Sequence, residues 1–199
     1  MPKVTECLNM FQDCTNLTTF TSDLSSLTNS EWMFSGCTNL TSFTSDLSSL
    51  RRGGAMFHNC SKLTSFTSDL SSLVDGSSMF SYCSNLTTFT SDLSSLTNGS
   101  NMFSYCSNLT TFTSDLSSLT NGSNMFLNCK LDKESVIRII TCLKERNTCT
   151  ASASITIGVD KQYQNDPELL QVLGITSWAS KVTLVGHGGG TWTITLQAK

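Results

Sequence analysis

Four sets of side chains in this 199-residue chain have the types and spacing to do chemistry. His187-Gly188-Gly189-Gly190 is a tetrapeptide that can aim backbone N–H groups at an oxyanion, as acyl-transfer chemistry requires. Asp23, Asp46, Asp69, Asp92 and Asp115 recur every 23 residues beside Ser and Thr oxygens, the hard donors that calcium takes. Cys14, Cys37, Cys60, Cys83, Cys106 and Cys129 keep the same interval, so that disulfides or a metal–thiolate column must be weighed. Finally, Thr19/Thr21, Ser42/Thr44, Ser65/Thr67, Thr88/Thr90 and Thr111/Thr113 place two hydroxyls in each interval.

Each set has a plainer structural reading. Oxyanion chemistry at His187 also needs a nucleophile on a G-x-S-x-G turn, and no such pentapeptide occurs, so the glycines read as a loop between two strands. No enzyme is expected. Carboxylates stacked about 4.8 Å apart repel by roughly 1 kcal/mol per pair in water. Hydrogen bonds from the backbone of the Leu-Ser-Ser after each Asp offset that, which makes the column a row of turn caps. The cysteines occupy an apolar register and read as packed thiols, since parallel side-chain vectors suit disulfide geometry poorly. Only Cys142 and Cys149 form a plausible local pair. The Thr columns follow from β-propensity and from hydroxyl bonds between repeats. No metal and no cofactor is expected.

What positions these columns is a repeat. Met10, Met33, Met56, Met79, Met102 and Met125 set its register, and the unit reads M-F-x-x-C-[ST]-[NK]-L-T-[TS]-F-T-S-D-L-S-S-L plus five freer residues. A fixed period in this range signals a stacked repeat architecture. Apolar gaps of three and four resemble a helix, but the Ser/Thr-rich stretches disfavour one. The arrangement that satisfies both is a right-handed, β-rich solenoid with parallel sheet, in which identical residues lie over one another and no repeat buries its apolar face alone.

The unit resembles the BspA-like leucine-rich repeats of bacterial surface proteins, also found in some protists and phages. Phe80, Cys83, Leu86, Phe89, Leu93 and Leu96 show the matching F-x-x-C-x-x-L-x-x-F and L-x-x-L, over about residues 4–130. The resemblance implies a leucine-rich-repeat fold and a location at the cell surface or outside the cell. In two respects the chain departs from it: Phe stands where Ile or Val is usual, and Thr-Ser-Asp replaces an apolar-Pro pair. A regular Thr-x-Thr face also resembles that of repeat antifreeze proteins, and a phage structural or receptor-binding part is a further alternative.

The chain divides into a partial N-terminal coil (1–9), a solenoid of five full repeats and a partial sixth (10–130), and a small α/β capping segment (131–199). Cys7 belongs to the incomplete first coil. The N-terminal edge carries no cap, which points to truncation or to pairing with a second copy. In the last segment, Asp132 caps a helix carrying Val136, Ile139, Ile140 and Leu143 on one stripe. A strand over Ala153–Val159, a helix over Pro167–Leu173 opened by Asp166, and strands over Val182–Val185 and Thr191–Leu196 follow; Trp178 and Trp192 are placed in the core of this segment.

Net charge is −3 with 14% charged residues, and Arg51-Arg52 is the only basic patch, which argues against nucleic acid. No apolar stretch is long enough to insert in a membrane. Asn-x-Ser/Thr triplets such as those at Asn85 and Asn98 read as by-products of the repeat. Variation concentrates at 28–32, 51–55, 74–78, 97–101 and 120–124 and just before each Cys. There Trp32, Arg51, Arg52, His58, Tyr82 and Tyr105 are the large side chains, types favoured in contact surfaces. They are the candidate residues for a protein or glycan partner, met by many modest contacts along the stack.

Overall fold

The computed structural model describes residues 3–144, 153–185 and 191–198. The M-F-x-x-C-x-x-L half of each repeat is a run of tight turns. In the second repeat the N–H groups of Met33, Ser35, Cys37 and Leu40 close onto the carbonyls of Ser30, Trp32, Phe34 and Cys37. This explains the apolar gaps of three and four without a helix. The intervening N–H groups of Trp32, Phe34 and Gly36 instead reach the Gly54, Met56 and His58 carbonyls of the next repeat. From Trp32 to Thr38 every backbone donor is thereby used.

Parallel pairing joins the repeats along two lines. One passes through Glu6, Asn29, Arg52, Asp75, Asn98 and Asn121, each bridged in parallel to the next. The Glu6 bridge, together with the bond from Cys7 N to Asn29 O, brings residues before Met10 into the stack as an incomplete first layer. The other line lies at the phenylalanine expected to centre a strand. There β1 (Thr19–Phe20) pairs with β2 (Ser42–Phe43), and β3 (Thr88–Phe89) with β4 (Thr111–Phe112). The continuous parallel sheet expected along this face is therefore corrected to two-residue strands in separate pairs, interrupted at Ser65–Phe66. The alternate residues of the turn run carry much of the inter-repeat bonding that a longer strand would supply.

Inside, the columns are sealed. Met33 to Met125, Cys37 to Cys129 and the Leu and Phe columns are buried from the second repeat onward. Phe34, Phe57, Phe80, Phe103 and Phe126 stack in parallel at 5.5–5.6 Å. Phe43, Phe66, Phe89 and Phe112 form a second pile at 5.9–6.1 Å. The piles meet edge to face, as in Phe57–Phe66 at 5.4 Å and 65°. Edge-to-face pairs add about 0.5–1.5 kcal/mol beyond area burial, which rationalises Phe at a position that an aliphatic residue would also fill. A column overlooked in the sequence lies three residues before each Met: Ser30, Gly53, Gly76, Gly99 and Gly122. A Cβ at Gly76 would lie 3.2 Å from the Met102 sulfur and 3.0 Å from Leu73, so the methionine pile occupies that space. Four glycines out of five in one register were the available signal.

The far end is closed by β5 (Gly122–Leu131), which pairs in parallel with β6 (Ala153–Val159), followed in the sheet by β8 (Thr191–Ala198) and β7 (Lys181–Val185). Gly158 in β6 is held small because a Cβ would strike the carbonyls of Phe126 and Cys129 in β5. Asp132 caps α1 (Lys133–Lys144), accepting from Ser135 N at 2.8 Å, and α1 buries Val136, Ile139, Ile140 and Leu143 as its stripe predicts. Ser135 stands 23 residues after Phe112 and completes the repeat's hydrogen bonding: its hydroxyl accepts from Phe112 N at 2.8 Å and donates to Thr110 O at 3.3 Å. One helix side chain thus replaces the missing strand of a sixth repeat. Asp166 caps α2 (Pro167–Leu173) through Glu168 N and Leu169 N, and Gly174 ends it at φ +73°. Trp178 is half-buried against the core. The Trp192 side chain, the loop holding His187, and Cys149 as partner for Cys142 all lie outside the described residues.

Candidate functional site

The Asp column acts locally. Asp23, Asp46, Asp69, Asp92 and Asp115 each accept, through Oδ1, the backbone N–H two residues on, at 2.8–2.9 Å. The Ser25 backbone bond, joined by its hydroxyl, lowers the carboxyl pKa of Asp23. No group of three or more potential metal-binding side chains forms among the described residues.

The Cys column is a row of latches. The thiols of Cys37, Cys60, Cys83, Cys106 and Cys129 donate to the carbonyls of Phe11, Phe34, Phe57, Phe80 and Phe103 in the preceding repeat, at 3.0–3.2 Å. Cysteine suits the place because it packs as a small hydrophobe and still supplies one weak donor. Burial pushes the Cys37 thiol up to about 11 and the deeper thiols higher, so they are poor nucleophiles. Cys14, in the open first layer, is exposed.

The Ser/Thr pairs do face outward, Thr88, Thr90 and Thr113 being exposed. The array is backbone-paired only across β1–β2 and β3–β4, and the third repeat interrupts it. It lacks the unbroken flat ladder that the ice-binding resemblance requires.

The residues chosen for their size come together. The Trp32 and His58 rings lie 5.9 Å apart, His58 and Tyr82 5.6 Å, and Tyr82 and Tyr105 4.6 Å with planes 3° apart. Four rings from four successive layers form one stripe along the stack. Trp32 is 44% exposed, Tyr82 45% and Tyr105 40%. Among the described residues, the other exposed large apolar side chains are Val4, Leu8 and Met10, all in the open first layer. Arg52 joins the stripe through Glu31, its NH2 nitrogen 2.7 Å from Oε1. A shallow cleft lined by Glu31, Trp32, Gly54, Ala55, Ser77 and Ser78 opens beside Trp32. Arg51 is exposed and joins none of the ion pairs found among the described residues.

Backbone geometry sets the stripe apart further. Two positions per repeat have left-handed φ: one holds Asn9, Trp32, Ala55, Ser78, Asn101 and Asn124, the other Asp13, Gly36, Asn59, Tyr82, Tyr105 and Asn128. Asn, Asp and Gly tolerate this region, whereas a bulky residue there is strained. Trp32 at φ +61° and both tyrosines at +63° stand where neighbouring repeats use less costly residues. This pattern is invisible in the sequence until the two columns are known. Partial burial holds the His58 imidazole below its ordinary 6.5, so this ring is uncharged at neutral pH.

Such a surface can hold a partner by ring contacts and hydrogen bonds. Comparison with known families matches residues 7–132 to the BspA type leucine rich repeat region, in six copies. Neither the curated proteins nor the solved structures give a match. With well over half of its length in that match, the chain belongs to the BspA-type leucine-rich-repeat family.

Proposed function

We propose that this is a non-catalytic recognition protein, displayed at a cell surface or released outside the cell, whose right-handed solenoid of leucine-rich repeats binds a protein or glycan. The observation that carries the reading is the Trp32–His58–Tyr82–Tyr105 stripe. Large aromatic side chains are kept half-exposed and touching, three of them at backbone positions that penalise them. Strain retained at exposed side chains points to a use other than folding. Membership of a family common on bacterial surfaces supports the location, and no helix among the described residues is long and apolar enough to cross a membrane.

The test is direct. Wild type and a Tyr82→Asn/Tyr105→Asn variant are passed over a panel of purified extracellular proteins and immobilised glycans by surface plasmon resonance. The reading predicts at least one ligand whose affinity drops about tenfold or more in the variant, which loses two contact residues. Binding that is absent throughout, or identical for both proteins, removes the stripe as the recognition surface.

A further inference from the structure

Resting on that reading, we infer that the partner of the stripe is a polypeptide presenting backbone carbonyl and carboxylate oxygens, and that a saccharide is not its ligand. Sugars dock by laying a ring on an open aromatic face, and the stripe has few such faces to offer. Tyr82 and Tyr105 lie face to face at 4.6 Å and 3°, each hiding one face of the other. His58, from the repeat on the opposite side of Tyr82, contacts it at 5.6 Å and 65°. Tyr82 is thus flanked along the stack from both directions, and Trp32 leans on His58 at 47°.

What such a pile turns outward is ring rims. Rims carry the positive end of the aromatic quadrupole and attract oxygen acceptors. The polar atoms agree with this. Among the described residues, the Trp32 Nε1–H, the His58 ring nitrogens and the two tyrosine hydroxyls have no hydrogen-bond partner in the protein. Trp32 is donor only, and each of the others can donate. The adjacent charge does not oppose acceptors: Glu31, beside Trp32 in sequence, is paired with Arg52. A row of unpaired donors on apolar rings, with the one neighbouring carboxylate already paired, complements an acidic peptide segment laid along the stack. Because the stripe runs through four layers, contact is spread over several modest sites along one line.

The experiment selects binders from a phage-displayed library of random peptides against the whole chain, and screens a glycan array in parallel. Both arms are repeated with Tyr82→Asn/Tyr105→Asn, whose new residues already occupy the equivalent left-handed position as Asn59 and Asn128. Expected are peptides enriched in Asp and Glu that lose about tenfold affinity in the variant, while no glycan signal depends on the tyrosines. Glycan binding lost in the variant, with no tyrosine-dependent peptide, would overturn the polypeptide assignment and leave the stripe a recognition surface. Tyrosine-dependent peptides without acidic enrichment would overturn the acceptor chemistry. Signals in both arms that ignore the substitution would remove the stripe itself. Circular dichroism of the variant, expected to match wild type, separates all of these from misfolding.

Discussion

The rings of Tyr82 and Tyr105, one repeat apart, stack at 4.6 Å and 3°, and both residues hold φ at +63°. For an L-residue with a bulky side chain the left-handed region costs about 1–2 kcal/mol, and Asn suffers much less. An exposed aromatic stack returns about 0.5–1.5 kcal/mol. The Tyr82→Asn/Tyr105→Asn variant is therefore expected to be as stable as wild type or more so, by about 1 kcal/mol, read from the urea midpoint. A midpoint clearly below wild type would mean that the tyrosines are there for the fold.

Alkaline pH should loosen the stack. In the unfolded chain the thiols ionise near their ordinary 9.0, while in the folded protein burial holds Cys37 protonated to about 11 and the deeper thiols beyond. Between those values the folded state binds more protons than the unfolded one, so unfolding free energy falls as pH rises. The contribution is fully present below pH 9.0 and is lost above it. Urea midpoints taken from neutral to about pH 10 should decline. A thiol reagent should meanwhile label Cys14 in the native protein and reach Cys83 and Cys106 only after unfolding.

Replacing Asp92 by Ala removes the acceptor for Ser94 N at 2.8 Å and should cost about 1 kcal/mol, whereas Asp92→Asn keeps the cap and should be nearly silent. Millimolar calcium should leave the wild-type melting temperature unchanged. A calcium-dependent rise would restore the metal reading of the column.

Deleting residues 79–101 joins Ser78 to Met102 in register and removes one layer. The shortened protein should fold with the same circular dichroism per residue and a smaller urea m-value, because less surface is exposed on unfolding. His58 would then lie beside Tyr105 and preserve a shorter stripe. Loss of structure would show that the layers are not interchangeable.

The first layer leaves Val4, Leu8 and Met10 open, Met10 at 62%, where the same column is sealed in later repeats. Pairing of this edge with a second copy is our proposal for self-association. Sedimentation velocity should show a concentration-dependent dimer, weakened by Met10→Lys; a monomer at all concentrations rejects it.

The sequence disclosed the parts of the fold that side chains specify. The Met, Cys, Leu and Phe columns were readable because identical residues must stack, and Asp132 and Asp166 because a cap needs its acceptor at the helix start. The line of parallel bridges through Asn29, Arg52, Asp75 and Asn98 was not readable, since it lies in the segments that vary most. Backbone pairs with backbone there, so the side chain is free to change. The left-handed columns were hidden for a related reason: Trp32, Ala55 and Ser78 share a dihedral angle and no chemistry. Of the candidate contact residues, Trp32, His58, Tyr82 and Tyr105 share one stripe, Arg52 reaches it through Glu31, and Arg51 takes no part in these contacts. Their common feature was size amid small polar neighbours, but sequence spacing alone could not place rings from different repeat positions side by side.

The thiol latches all point the same way, each sulfur grasping the carbonyl of the layer before it. The stack therefore has a polarity that its near-identical repeats conceal. Stripping the leading layer takes the acceptor away from the next cysteine, while the trailing end is tied down by Ser135 and the strands beyond. Under mechanical load the protein should peel from its leading end, one rung at a time, like a zip with a single slider.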